Sequence, residues 1–243
     1  MKKEEQVNSD YSGGYMKKII GLFIFLLVIL VIIGCGKETD GEKFKKEYES
    51  LNGEVSSYGN EYLSLSIPKN NKIKYKTDSE IVDVIKNETA VIYFGFNSCP
   101  WCRSMVENLL DVTNELKIEN VYYVDVKEIR DTLEFKNDKV VRTKSGTTAY
   151  YEILELLDDY LDYYTITDNN GNDYQTTEKR IYAPNVVVVK NGEVLGLTTG
   201  VSVQLSDPYT GINDDIKKQS YDMLYDLIEE IKPNNVCTGE GVC

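Results

Sequence analysis

Read as apolar and polar positions, the chain falls into a leader, a polar spacer and a long stretch in which strand and helix periods alternate. Lys17 and Lys18 precede an apolar run from Ile19 to Ile33, broken only by Gly21 and ending Ile32-Ile33-Gly34-Cys35. A positive start followed by an apolar stretch of this length has the layout of a secretory signal. Residues 1–15 are polar, unlike a signal start, and Met16-Lys17-Lys18 reads as the natural beginning. Residues 36–41 are polar and suit a tether. Phe44 to Leu51 has the spacing of a short helix. Leu63–Ile67 and Lys72–Lys76 alternate like strands, the first closed by Pro68.

Thr77-Asp78-Ser79-Glu80 has the spacing of a capping box, and Ile81, Val84 and Ile85 supply the apolar face of the helix it opens. Ala90-Val91-Ile92-Tyr93-Phe94-Gly95-Phe96 is apolar throughout. In a chain mixing both periods this predicts a central strand buried on both faces. Asn97-Ser98 ends it and Cys99-Pro100-Trp101-Cys102 follows, with Met105, Val106, Leu109 and Leu110 then recurring at helical spacing to about Leu116. Val121 to Val126 predicts a strand. Tyr150, Ile153, Leu154, Leu157, Leu161 and Tyr164 predict an acidic-faced helix. Val186–Val189 predicts a strand, Asn191-Gly192 a tight hairpin turn and Glu193–Thr199 the return strand. Tyr221, Leu224, Tyr225, Ile228 and Ile231 mark a last helix, stopped by Pro233. The alternation predicts an α/β fold, and no internal repeat is present.

Composition narrows the chemistry. The 243 residues suffice for one well-cored domain plus leader and tether. Without residues 1–34, which hold four lysines and three carboxylates, the chain carries 23 basic against 37 acidic residues. Such a surface repels phosphate backbones, which argues against nucleic acid as a partner. Histidine is absent. That excludes Ser-His-Asp and Cys-His catalysis and removes the commonest metal ligand. Chemistry must therefore run on Cys, carboxylates, Lys or Tyr, and no cofactor is called for.

The five cysteines fall into three groups: Cys35, the Cys99/Cys102 pair, and Cys237 with Cys243. A Cys-x-x-Cys that opens a helix places its first sulfur among unsatisfied backbone N–H groups, which stabilise a thiolate. Pro100 fits the first helical turn, where its missing N–H costs nothing. Cys102 lies one turn in, close enough for a disulfide with Cys99. Two other readings stay open for this pair, a structural disulfide and half of a zinc site. With no histidine, only Cys237 and Cys243 could complete the latter. Cys237 and Cys243 enclose five residues of a polar tail and read as a small structural disulfide, with a second redox pair as the alternative. Asp168-Asn169-Asn170-Gly171-Asn172-Asp173 lacks the spacing of a calcium loop and reads as a turn. No metal site is expected. Trp101, the single tryptophan, either packs at the helix start or contacts a partner beside the nucleophile. The many tyrosines read as core and strand residues.

Two resemblances extend this. Ile32-Ile33-Gly34-Cys35 resembles a bacterial lipobox, which implies that Cys35 becomes the lipidated N-terminus; an uncleaved anchor is the alternative, and the positive-inside rule gives the same topology. Phe94–Cys102, the helix after it, and Tyr182-Ala183-Pro184-Asn185-Val186-Val187-Val188-Val189-Lys190-Asn191-Gly192 resemble the thioredoxin superfamily over about residues 70–232. The match implies a thioredoxin-like fold with Pro184 cis and facing Cys99/Cys102, Cys99 as nucleophile and Cys102 as resolving thiol, and Trp101, Ala183 and Pro184 as substrate-binding residues. It departs in two places. The family keeps a buried Asp six residues before its first cysteine, where this chain has Tyr93. Cys99 and Pro184 lie 85 positions apart, leaving a helical insert at about residues 127–179 before the cis-proline strand.

The expected organisation is a leader at 1–34, a lipid tether and extension at 35–69, the thioredoxin-like domain at 70–232 and a tail at 233–243. The leader and insert are similar to those of thioredoxin-like lipoproteins and transport-accessory proteins of Gram-positive bacteria. This implies a thiol–disulfide oxidoreductase, lipid-anchored at the outer face of the cytoplasmic membrane. Its partners would be exported proteins with cysteines, a membrane redox partner and the bilayer. The alternative is a non-catalytic accessory protein that binds an exported peptide or a transporter.

Mass spectrometry of the mature chain tests the tether. A diacylglyceryl group is expected on an N-terminal Cys35, and Cys35→Ala is expected to leave an unlipidated precursor with its leader attached. An unmodified Cys35 in the wild-type chain would remove the lipoprotein reading and leave the topology standing.

Overall fold

The computed structural model describes residues 38–136, 139–168 and 170–233. Its elements are α1 (Asp40–Glu49), β1 (Ile73–Tyr75), α2 (Asp78–Asn87), β2 (Ala90–Gly95), α3 (Pro100–Glu115) and β3 (Val121–Asp125). They continue with α4 (Val126–Ile129), β4 (Thr132–Lys136), β5 (Lys139–Lys144), α5 (Thr148–Leu156), β6 (Tyr163–Thr167) and β7 (Asp173–Lys179). The last are β8 (Asn185–Lys190), β9 (Glu193–Thr198) and α6 (Asp214–Ile228). The fold is mixed α/β around a five-stranded sheet of order β1-β3-β2-β8-β9. β1, β3 and β2 run parallel, while β8 and β9 are antiparallel to their neighbours.

β2 is central, and all six of its residues are buried. Its alternation feeds two cores. Val91 and Tyr93 face one, with Val121, Tyr123, Val186 and Val188 beside them and α1, α3 and α6 packed on top. Ala90, Ile92 and Phe94 face the other, which α2 and α5 cover. Local chemistry sets the element ends. The Thr77/Glu80 capping box opens α2. Asn191 and Gly192 turn the β8–β9 hairpin at φ of 52° and 82°. A Cβ at residue 192 would also meet the Lys86 carbonyl oxygen at 2.3 Å, so the turn requires glycine.

The structure departs from the sequence expectation in three places. The compact unit starts at Asp40, not at residue 70, and α1 begins inside the stretch read as tether. Phe44 and Tyr48 of α1 are fully buried against the sheet, which makes the extension part of the main core. Leu63–Ile67 is not a strand: it runs beside α1 and α3, and side chains take its backbone groups. Leu65 N–H donates to Asn52 Oδ1 at 2.9 Å, Ser66 N–H to Glu107 Oε1 at 2.6 Å and Ile67 N–H to Glu49 Oε1 at 2.7 Å. The insert is mostly β, where a helical one was expected. Its helix ends at Leu156, and Tyr163-Tyr164-Thr165-Ile166-Thr167, rich in β-branched and aromatic residues, forms a hairpin with β7. β4 and β5 form a second hairpin.

Arg103 of α3 joins the extension to the rest. It is 1% exposed, and among the described residues no carboxylate hydrogen-bonds it, Glu107 acting on it only through space. Its guanidinium donates to the Tyr48 carbonyl at 2.7 Å, to the Leu63 carbonyl at 3.0 and 2.6 Å, and to Asn52 Oδ1 at 2.8 Å. Arg103→Met keeps the volume but strips those acceptors of their donors. It is expected to lower the unfolding free energy by about 3 kcal/mol, measured by urea denaturation. A loss below about 1 kcal/mol, the net value of one ordinary hydrogen bond, would mean that the extension is held by apolar packing alone.

Candidate active site

The site is built at the end of β2. Past Gly95 the chain leaves the sheet and turns through Phe96-Asn97-Ser98, and the Cys99 N–H donates back to the Phe96 carbonyl at 3.1 Å. Cys99 then caps α3: its sulfur accepts the Cys102 N–H at 3.2 Å, and Pro100 follows in the first turn, as expected. The second segment arrives from β8. The Ala183–Pro184 bond is cis, and the loop is held by the Tyr182 N–H donating to Asn185 Oδ1 at 2.7 Å. The Cys99 thiol donates to the Ala183 carbonyl at 3.2 Å. Two segments 84 positions apart in the sequence thus meet at one sulfur.

Both cysteines are free thiols, Cys99 being 4% exposed and Cys102 fully buried. Their environments push them apart. Burial raises the Cys99 thiol, but the Cys102 side chain, the Cys102 and Trp101 backbone N–H groups and the Arg130 guanidinium together outweigh it and hold Cys99 below the ordinary thiol range. Cys102 is driven well above that range, by burial first and then by its hydrogen bond to Cys99 and repulsion from charge there. The arrangement suits one thiolate nucleophile and one thiol kept in reserve.

Arg130 and Tyr93 complete the surroundings. Arg130 follows α4 and lies 5.5 Å from the Phe96 ring centroid. No carboxylate pairs with it among the described residues, whereas its neighbour Asp131 binds both Arg142 and Arg180, at 3.2 and 3.0 Å. Tyr93 projects from β2 beneath the dithiol, and its hydroxyl lies 2.9 Å from that of Tyr48. Trp101, 36% exposed, stands in the first turn of α3 beside the nucleophile.

Of the residues expected at the site, Cys99, Cys102, Trp101, Ala183 and Pro184 come together. Cys35, Cys237 and Cys243 lie outside the described residues, as does the apolar run that ends at Cys35. Among the described residues no three Cys, Asp or Glu side chains converge as metal ligands, and no helix is long and apolar enough to cross a membrane. Asp168 forms a turn by accepting the N–H groups of Asn170 and Asn172, both at 2.8 Å. Arg130 was invisible in the sequence, since it closes an ordinary charged run, Lys127-Glu128-Ile129-Arg130. Tyr48 carried a signal only as the i+4 partner of Phe44. Comparison with protein-family models, with curated proteins and with solved structures returns no match for this chain.

Alkylation of the reduced protein with iodoacetamide, followed by peptide mass spectrometry across pH, tests these environments. Cys99 is expected to react with a midpoint below that of a cysteine in the unfolded chain, and Cys102 only after unfolding. Arg130→Met is expected to move the Cys99 midpoint upward, because a cation that favours the thiolate is lost. An unmoved midpoint would remove Arg130 from the site.

Proposed function

We propose that the chain is a membrane-tethered thiol–disulfide oxidoreductase of thioredoxin-like fold, acting outside the cytoplasm on exported proteins. One observation carries the reading. The Cys99 sulfur sits at the amino end of α3, bonded by the Cys102 N–H, and within 3.2 Å of the Ala183 carbonyl in the residue before a cis proline. The fold assignment draws support from the same features, a central strand feeding the dithiol helix and a cis-proline loop leading into the β8–β9 hairpin. The extracytoplasmic setting rests on the leader and on Cys35.

In the reducing direction the Cys99 thiolate attacks a substrate disulfide. One substrate sulfur leaves as a thiolate carrying the electron pair of the broken bond, and the other stays bound to Cys99. Cys102 loses its proton and attacks the Cys99 sulfur. The Cys99–Cys102 disulfide forms, and the second substrate thiolate departs. Two electrons have passed from the dithiol to the substrate, and a membrane redox partner returns them. Oxidation of a substrate runs the same steps in reverse. Pairing of a substrate strand with the backbone at Ala183 would bring its sulfur to Cys99.

A second reading draws on the burial of Cys99. A thiol so covered also suits an accessory protein whose groove binds a partner while the dithiol serves the fold. Trapping separates the two. Cys102→Ser retains the nucleophile and lacks resolution, so in its native host it is expected to accumulate mixed disulfides with exported proteins, seen as bands that vanish on reduction. Cys99→Ser is expected to trap few or none. Equal trapping by both variants would count against exchange. Partner binding that survives loss of both cysteines would establish the accessory reading.

A further inference from the structure

We infer that the Tyr93 hydroxyl, oriented by the Tyr48 hydroxyl of α1, donates a hydrogen bond that helps to stabilise Cys102 as a thiolate during resolution. This rests on the exchange reading above and names the groups that serve its second step.

The backbone fixes where the Tyr93 hydroxyl goes. Tyr93 and Gly95 lie two apart on β2 and so share a face of the sheet. A Cβ at residue 95 would lie 2.5 Å from both Cζ and Oη of Tyr93. The phenol therefore lies along the strand in the space that glycine leaves, pointing toward the end from which Cys99 departs. Tyr93, Cys99 and Cys102 belong to one buried cluster with Tyr48, and Tyr48, Tyr93 and Cys102 are each fully buried.

Either hydroxyl can be the donor in this pair. The two hydroxyls are 2.9 Å apart, and each has one proton to give. When Tyr48 donates to the Tyr93 oxygen, the Tyr93 proton is free to point at the Cys102 sulfur. The titratable groups that act on Cys102 include Cys99 from its own segment, Tyr93 and Tyr123 from the sheet, and Tyr48 from α1. Two groups act against the burial that drives the Cys102 thiol up, the Phe96 backbone first and the Tyr93 hydroxyl after it. Burial raises Tyr48 and Tyr93 themselves well above the ordinary phenol range, so both stay protonated as donors. In resolution Cys102 gives its proton to water, attacks the Cys99 sulfur of the mixed disulfide and expels the substrate thiolate. Tyr93 holds the charge on Cys102 without itself losing a proton.

The aromatic disulfide 5,5′-dithiobis(2-nitrobenzoate) separates the two steps in the reduced full-length protein carrying Cys35→Ala, Cys237→Ser and Cys243→Ser, in which Cys99 and Cys102 are the remaining thiols. Attack by Cys99 releases one nitrothiobenzoate anion at a rate proportional to reagent concentration. Attack by Cys102 on the resulting mixed disulfide releases a second at a rate independent of it. Tyr93→Phe is expected to leave the first release unchanged, to slow the second about tenfold, the scale of losing one hydrogen bond to a charged group, and to shift its pH midpoint upward. Tyr48→Phe is expected to act in the same direction with a smaller effect. It supplies the readout through the partner hydroxyl should Tyr93→Phe fail to fold, which a first release as fast as that of the urea-denatured chain would reveal. A second release of unaltered rate and pH midpoint in a variant that keeps the first overturns the inference and leaves the exchange reading intact. No first release from Cys99 with Tyr48 and Tyr93 both in place overturns the exchange reading and this inference with it.

Discussion

The arrangement depends on a buried cation that, among the described residues, no carboxylate hydrogen-bonds. Arg103 points from α3 into the seam where the extension crosses the active-site helix, and every oxygen it meets belongs to a carbonyl or a side-chain amide. A charge out of water must be solvated by something, and here main-chain dipoles do it. The bonds run to Tyr48, Asn52 and Leu63, so one side chain fixes both the end of α1 and the segment beyond it. That anchoring keeps the Tyr48 ring over the sheet and its hydroxyl on Tyr93. The position and burial of the second cysteine are thereby linked to residues some fifty places earlier in the chain.

Charge around the first cysteine is arranged by a shortage of partners. Three arginines, Arg130, Arg142 and Arg180, gather near one buried carboxylate, Asp131, which takes Arg142 and Arg180. Arg180 also lies 4.2 Å from the Tyr164 ring centroid, so it is doubly engaged. Arg130 is left with an aromatic face and the Cys99 sulfur to satisfy it. The two hairpins of the insert supply Arg142 and Tyr164. Tyr182, one residue from Ala183, donates its hydroxyl proton to the Tyr163 carbonyl at 3.3 Å, so the insert also braces the cis-proline loop. It therefore serves the site although none of its residues lies in either motif.

Much of the frame was legible because its signals are local. The capping box at Thr77 and Glu80, the apolar run of β2, the proline in the first turn of α3 and the Asn191-Gly192 turn each depend on a few adjacent residues, and each appears where its chemistry predicts. Features that depend on remote partners could not be read. Leu63–Ile67 alternates as a strand would, yet its donors are taken by Asn52, Glu49 and Glu107, a choice settled by how α1 and α3 lie. Leu161 continues the helical spacing of α5 and is buried, but the helix has already ended at Leu156 and the hairpin begins two residues on, at Tyr163. At the site the pair Cys99/Cys102 and Pro184 declared themselves by motif. Arg130 and Tyr48 act by proximity alone and left no comparable trace.

Gly95 and Tyr93 also constrain how this sequence can change over time. The two residues share one volume: a Cβ at 95 would overlap the phenol ring where it now lies. Alanine at 95 is compatible only with a shorter or turned side chain at 93, and a tyrosine arriving at 93 needs glycine already in place two residues on. Drift at the two positions is therefore ordered, with one substitution acting as the permissive step for the other. Among chains descended from a common ancestor, tyrosine at 93 should come with glycine at 95 while glycine at 95 can stand without the tyrosine, and a Tyr93 chain with a bulkier residue at 95 would be expected to have moved the strand end that launches the dithiol helix.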